Sequence, residues 1–163
     1  MSRISRIEYM LKMSQVNNFA MGRHHDDMSL DKINFGVKNL GMKPVNLFGR
    51  YEISHGAQLL EVLMNGGATK PAAYGPLDSV DRIFKINNIM EYCERVGLSF
   101  KIFTRANSDT ILFAVGLKKN VDSIENQNNR GIMDSEHHRE VGLALGYPKH
   151  NVEKFVEHMN DKA

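Results

Sequence analysis

The sequence predicts an α+β fold: a mostly helical single domain, with five or six helices around one antiparallel β-hairpin, ending in a helix, a tight turn and a helix. Three observations predict this fold. Apolar residues recur at helical spacing through most of the chain. Two short apolar runs, 98–103 and 110–117, are joined by a turn-forming segment at 106–109. Near the end of the chain, Gly-Tyr-Pro at 146–148 ends one helix and begins another.

Length and composition limit the classes of protein to which this chain can belong. The chain has 163 residues and a hydrophobic fraction of 42%, which suits one domain (1–163) with one core. No apolar run approaches the ~18 residues that span a bilayer, and the charged start of the chain is not followed by the apolar stretch of a secretory signal. A single cysteine, Cys93, allows no disulfide within the chain. We therefore predict a cytoplasmic protein that does not contact membranes.

Helical spacing predicts four helices before the hairpin, over residues 3–20, 30–40, 52–64 and 79–96. The last of these has the broadest apolar face and is expected to be central. Cys93 lies on that face. We therefore interpret it as a small buried hydrophobe rather than a nucleophile.

The hairpin needs further cover. Its second strand, 110–117, is almost entirely apolar, as for a strand covered on both faces. Because two strands alone are marginally stable, we expect either helices over them or a third strand, from 45–48 or from a second copy of the chain. The second copy would make the protein a homodimer. The polar, asparagine-rich segment 118–134 is predicted to be a mobile connection with one helical turn near 121–125.

The last two helices are expected to cross and share a core. Asp134 or Ser135 is predicted to cap the first helix, and Gly146 is expected to end it in a left-handed conformation. Helical spacing predicts the inward residues, which are Val141, Ala144 and Leu145 in the first helix and Val152, Phe155, Val156 and Met159 in the second.

This C-terminal stretch resembles a Gly-x-x-Leu-Gly-Tyr-Pro…Val-x-x-Phe signature of uncharacterised prokaryotic families. Residues 142–148, Val152 and Phe155 carry the signature here, and Glu140 stands two residues before its first glycine. Some members of those families have paired cysteines after the proline, where this chain has Lys-His-Asn at 149–151. The resemblance implies no function. The asparagine- and lysine-rich composition also resembles that of bacteriophage gene products.

Three side chains of the penultimate helix are the candidate catalytic residues. Glu136, His137 and Glu140 lie within one helical turn, because residues three and four apart are neighbours on a helix. Neither capping nor core packing explains them. Such a group is able to share a proton or to ligate a metal ion.

The glycine- and proline-rich segment 65–76 leads into a helix start and contains a lysine, which are the ingredients of an anion site. The candidate ligand-binding residues there are Lys70, Tyr74 and Ser79. The segment lacks the Gly-Lys-Ser/Thr ending of a phosphate-binding loop and the glycine spacing of a dinucleotide-binding loop. A plain surface connection is the alternative interpretation.

The N-terminal third offers two further kinds of site. Residues 1–50 carry eight Lys and Arg against four Asp and Glu, and a basic segment of this kind is able to approach phosphate backbones. The candidate nucleic-acid contacts are Arg3, Arg6, Lys12 and Arg23. The metal-ligand candidates are His24, His25 and Asp26, of which two at most point at one ion if the segment is helical. A polar linker is the alternative for these three residues.

We therefore predict a small intracellular non-enzymatic binding or regulatory protein, of the kind a bacteriophage uses to act on a host protein or nucleotide. One alternative is a small hydrolase acting on a phosphate-bearing substrate, with or without a metal ion. The other is a nucleic-acid-binding protein that uses the basic N-terminal third. The sequence identifies no cofactor, and it leaves open whether the protein is an enzyme.

Overall fold

A computed structural model describes residues 50–81 and 84–161 of the chain. In these residues the fold is α+β, as predicted, with six helices and three strands. In chain order the elements are α1 (Arg50–Met64), β1 (Ala72–Pro76), α2 (Asp78–Asp81), α3 (Ile86–Val96), β2 (Ser99–Thr104), β3 (Ile111–Gly116), α4 (Lys118–Arg130), α5 (Ser135–Ala144) and α6 (Lys149–Asp161). No helix of the described part is long and apolar enough to cross a membrane. One domain over 1–163 stays a prediction, because residues 1–49 lie outside the described ranges.

The three strands form an antiparallel sheet in the order β1-β3-β2. The predicted hairpin is confirmed as β2 and β3, in which Ser99 pairs with Gly116 and Thr104 with Ile111. On its other side β3 pairs with β1, from Ala72 opposite Gly116 to Pro76 opposite Leu112. Residues 112–116 of β3 are all buried, which confirms a strand covered on both faces.

The third strand comes from the glycine- and proline-rich segment 65–76, whose composition predicts a surface connection. That interpretation is wrong for 72–76, because its alanines pack into the sheet and an edge strand tolerates a proline. Residues 45–48, the expected source of a third strand, lie outside the described residues.

Helices cover both faces of the sheet, and alternate strand residues contribute to the two cores. On one face, Ala73, Phe113 and Val115 pack with the larger cluster, which includes the buried apolar side of α1 and residues of α3. On the other face, Ala72 and Ala114 pack with residues of α4 and α5. The described residues therefore form three layers, with the sheet in the middle.

The single helix predicted over 79–96 is wrong. The structure has two helices, of which α2 ends at Asp81 and α3 begins at Ile86; between them, the backbone of Lys85 is extended (φ −82°, ψ 108°). Phe84 is fully buried in the larger cluster. The apolar periodicity runs through the break because residues on both sides of it face the same core. Gly97 ends α3 in a left-handed conformation (φ 79°), as expected.

The interpretation of 118–134 as a mobile connection is also wrong for most of its length, since α4 is a helix of 13 residues. Its buried stripe contains Val121 and Ile124, followed by the polar residues Gln127 and Asn128. The Asn128 side-chain amide donates to the carbonyl of Thr104 at the end of β2 at 3.0 Å, and its oxygen accepts the N–H of Ala106 in the following turn at 3.1 Å. Asn128 is therefore buried although it is polar, because its amide is hydrogen-bonded. A search for apolar residues at helical spacing does not detect such a residue.

The tight corner between α5 and α6 is confirmed. Gly146 has φ 88°, its N–H donates to the carbonyl of Leu143 at 3.0 Å, and the N–H of Tyr147 donates to Gly142 at 3.2 Å. These are the two hydrogen bonds of a glycine-terminated helix end. Pro148 directly precedes α6, and its carbonyl accepts the first helical hydrogen bonds of α6.

Of the four residues of α6 predicted to face inward, two are buried and two are exposed. Val152 and Val156 are buried, whereas Phe155 is 48% and Met159 38% exposed. Among the described elements α6 packs chiefly on α5. One neighbouring helix covers only a narrow stripe of α6, so the two larger side chains stand at its edge.

Candidate functional site

The cleft between α5 and α6 is the best candidate for a functional site, and we name it the α5–α6 cleft. Its volume is about 440 Å³, within the range of small-molecule sites. The side chains that line it include His137, His138 and Val141 of α5, Tyr147 of the corner, and Asn151 and Phe155 of α6.

Two contacts fix the spacing of the helices beside the cleft. A side chain at Gly142 would place its Cβ 3.1 Å from Cγ2 of Val152, so the helices approach closely there. Arg139 Nε donates to Glu153 Oε1 at 2.7 Å, which links α5 to α6 a second time. The cleft is therefore a consequence of how the two helices pack.

His137 is the buried polar residue of the cleft, with 7% of its surface exposed. Its Nδ1 atom is buried and has no hydrogen-bond partner among the described residues. Burial is the main cause that lowers the pKa of this imidazole, and a hydrogen bond with the Gln127 backbone opposes it. The ring is therefore neutral near pH 7.

Ring contacts continue from His137 along the cleft. The centroids of the His137 and His138 rings are 5.5 Å apart at 87°, and those of His138 and Phe155 are 5.5 Å apart at 79°. Both are edge-to-face arrangements, which aromatic rings prefer. Half-exposed Phe155 therefore forms one wall of the cleft.

Asp134 positions the backbone of His137 through a hydrogen bond at the start of α5. Its carboxylate accepts the backbone N–H of His137 at 2.9 Å, which confirms Asp134 as the N-cap of α5. Arg130 binds the same carboxylate through both terminal nitrogens, at 3.1 and 2.9 Å. The Arg130 guanidinium and then the His137 N–H lower the pKa of Asp134 to about 2.

The three candidate catalytic residues do not converge. The side chain of Glu136 is 61% exposed and its carboxylate pairs with Arg130 Nη2 at 3.0 Å, while Glu140 acts electrostatically on Arg139. Of the three, the structure places only His137 in the cleft. In residues 50–81 and 84–161, no three His, Cys, Asp or Glu side chains are grouped as a metal site requires.

Lys70, a candidate ligand-binding residue, is fully buried. Its Nζ donates to the carbonyl of Leu145 at 2.9 Å and lies 5.0 Å from the centroid of the Tyr147 ring. The lysine therefore ties the turn before β1 to the end of α5.

The two other ligand-binding candidates have separate partners. The Tyr74 ring meets Phe103 of β2 edge-on, with centroids 6.2 Å apart, while Ser79 Oγ donates to the carbonyl of Pro76 at 2.6 Å. The hollow at the end of β1, about 640 Å³ in volume, is lined in part by Asp78, Asp81, Asp109 and Arg105. Three carboxylates against one guanidinium disfavour the anion expected there.

Several sequence candidates cannot be placed. The metal candidates His24, His25 and Asp26 and the nucleic-acid candidates Arg3, Arg6, Lys12 and Arg23 lie outside the described residues. Cys93 is buried in the larger cluster, where desolvation raises the pKa of its thiol to about 12. Such a thiol is not poised as a nucleophile at neutral pH.

Sequence reasoning missed His138, Tyr147 and Phe155 as residues of a site. The signal that would have found them is Gly142, since a glycine inside a helix often marks a close approach to another element. The resemblance to the Gly-x-x-Leu-Gly-Tyr-Pro families stays a prediction. Comparison of the chain with protein-family models, with curated proteins and with solved structures found no match.

Proposed function

We propose that the chain is a small non-enzymatic binding or regulatory protein whose ligand site is the α5–α6 cleft. The observation that carries the proposal is a ligand-sized, largely apolar cleft that is lined in part by one buried histidine, His137. A concave apolar surface with a few polar groups is the usual form of a small-molecule site.

The chemistry of the lining favours an apolar ligand over a phosphate-bearing one. Among the described side chains that line the cleft there is no Lys or Arg. A phosphate group binds best to such cations or to a helix N-terminus. This contrast supports a binding protein for apolar molecules over the phosphohydrolase alternative. Action on a host protein, and binding of nucleic acid through the N-terminal third, stay predictions.

A blocked cleft tests the proposal. We titrate the full chain with toluene, benzyl alcohol and indole and follow binding by methyl NMR. The methyl signals of Val141, Leu145 and Val152 should shift. Val141→Phe fills part of the cleft and should weaken binding about tenfold, equivalent to about 1.4 kcal/mol.

Leu143→Phe is the matched control, because Leu143 is on the same helix, is exposed, and does not line the cleft. This variant should bind within about twofold of the parent, a difference of about 0.4 kcal/mol. Absence of saturable binding by every probe would overturn the proposal, as would binding that Val141→Phe leaves unchanged.

A further inference from the structure

We infer that the outer edge of β2 is an interaction surface, which binds an extended apolar peptide segment of a partner protein as a fourth, antiparallel strand. This surface, which we name the β2 edge, consists of the backbone groups of Phe100, Ile102 and Thr104 that point away from β3. It shares no residue with the α5–α6 cleft, so it does not depend on the function proposed for that cleft.

The hydrogen bonds between β2 and β3 show which backbone groups of β2 point outward. The N–H of Arg105 donates to the carbonyl of Thr110 at 2.8 Å, so these two residues are a hydrogen-bonded pair. In an antiparallel pair of strands, such residues alternate with residues whose N–H and C=O point to the other side. Counting back from Arg105 in the register of the two strands, Thr104, Ile102 and Phe100 therefore turn their backbone groups away from β3.

Asn128 of α4 agrees with this direction and closes one end of the β2 edge. Its side chain donates to the carbonyl of Thr104 at 3.0 Å and accepts the N–H of Ala106 at 3.1 Å, and both of these groups belong to the outward set. Among the described residues, the outward N–H and C=O of Phe100 and Ile102 have no such partner. A row of open N–H and C=O groups on an edge strand is a template for another extended chain.

The two edges of the sheet differ in their protection. On β1, Pro76 has no N–H, and a proline on an edge strand opposes further pairing. Strand β2 has no proline, and Ile102, in the middle of its open part, is 44% exposed. Lys101 offers little protection, because its ammonium group is held by Asp122 and Glu125 of α4, each at 2.8 Å.

The exposed side chain of Ile102 indicates the chemistry of the partner. Directly opposed residues of an antiparallel pair place their side chains on the same face of the sheet, where apolar pairs stabilise the pairing. An apolar side chain opposite Ile102 therefore covers it. The partner segment is an extended backbone with an apolar residue at that position and no proline among its bonding residues.

A second copy of β2 fits the β2 edge less well than such a peptide. With a two-fold axis at Lys101, two lysines lie directly opposite each other, which is unfavourable. An axis at Ile102 brings the second strand to the carbonyl of Thr104, which already accepts a hydrogen bond. An axis at Phe100 brings it to the N–H of Leu98, which is already donated within the chain.

Amide hydrogen exchange of the full chain, followed by NMR, tests the inference. In the free chain, the amides of Phe100 and Ile102 should exchange about tenfold or more faster than those of Lys101 and Phe103, which bond to β3. The probe is a blocked peptide in which valine and threonine alternate. At saturation it should slow exchange at Phe100 and Ile102 by about tenfold or more.

Two N-methylated versions of the peptide are matched controls. When valine lies opposite Ile102, the valine N–H groups bond to the β2 edge and the threonine N–H groups point away. Methylation of the valine nitrogens should therefore weaken binding about tenfold or more, whereas methylation of the threonine nitrogens should leave it within about threefold. Ile102→Pro removes one outward N–H without removing a hydrogen bond to β3, and it should weaken binding of the unmodified peptide about tenfold.

Three results would overturn the inference. The first is slow exchange at Phe100 and Ile102 in the free chain, which would mean that residues 1–49 or a second copy covers the β2 edge; sedimentation of the free chain separates these two cases. The second is that the probe gives no protection at these amides. The third is equal affinity of the two methylated peptides, a comparison on the parent chain that stands even if Ile102→Pro does not fold.

Discussion

Replacement of Lys70 by methionine tests whether this buried lysine holds the α5–α6 corner against the sheet. Methionine is similar in length and keeps the apolar stem, but it removes the ammonium group that donates to Leu145 and lies over Tyr147. We expect Lys70→Met to lower the free energy of unfolding and to loosen the corner.

Two of the contacts of Lys70 set the scale of the loss. A hydrogen bond from a charged donor contributes about 1.5–3 kcal/mol, including the cost of the carbonyl left without its donor. A desolvated cation over an aromatic ring contributes about 0.5–2 kcal/mol. Removal of a buried charge also recovers part of its desolvation cost. We therefore expect a net loss of about 2–4 kcal/mol.

Urea denaturation followed by far-ultraviolet circular dichroism measures this loss by linear extrapolation. Lys154→Met on α6 is the control, because Lys154 is exposed, and its effect should stay within about 0.5 kcal/mol. Hydrogen exchange at the amides of Gly146 and Tyr147 should accelerate in Lys70→Met. A Lys70→Met chain as stable as the parent would refute the reasoning, as would a loss equal to that of the control.

Two further predictions concern the backbone and pH. Gly116 has φ 148°, and a Cβ there would lie 2.1 Å from the carbonyl oxygen of Pro71; Gly116→Ala should therefore cost about 3 kcal/mol or more in urea denaturation. Gly97 also has positive φ but nothing lies within 4 Å of an added Cβ, so Gly97→Ala should cost only about 1 kcal/mol, and equal losses would contradict the steric explanation. The pKa of His137 is lower in the folded chain than the unfolded value of about 6.5. The contribution of neutral His137 to stability should therefore be complete above about pH 6.5, and it should fall as pH decreases from there toward the pKa of the folded chain. Denaturation between pH 8 and 5 should show a smaller loss in His137→Asn than in the parent, and parallel pH profiles would rule out this linkage.

The sequence was informative where the determinants of structure are local. The hairpin follows from two apolar runs and a turn, and the α5–α6 corner follows from a cap, a glycine and a proline within 15 residues. Each signal is complete within a few residues of the element that it defines. These elements therefore appear in the structure close to their predicted positions.

Elements that depend on distant partners were not predictable in this way. Strand β1 contains Gly75 and Pro76 and becomes a strand because β3 pairs with it. Helix α4 carries few apolar residues, and its polar Asn128 packs because the end of β2 and the turn after it, more than 20 residues away, supply its hydrogen-bond partners. Neither pairing is visible in a local pattern.

The sequence predicted one residue of the candidate site, His137, but not the residues that surround it. The sequence marked His137 as unexplained by packing, and the structure places it in a cleft. Its expected companions, Glu136 and Glu140, were chosen because they are neighbours along one helix. The real neighbours include Phe155 on the next helix, and only the crossing of α5 and α6 brings that ring close to the histidines.

The position of β3 in the middle of the sheet has a consequence for synthesis of the protein. Within the described residues, β1 and β2 are both made before β3, and each pairs only with β3. Neither strand has its sheet partner until residue 116 has left the ribosome, by which time the residues of α1 and α3 that share a cluster with β3 have already emerged. Until then the apolar side chains that will pack on β3 lack this partner, and apolar surface left open in this way favours aggregation or capture by chaperones. Emergence of β3 lets the sheet form and pack against α1 and α3, whereas its other face stays open until α4 and α5 have emerged, so this part of the chain should acquire its fold in two successive steps.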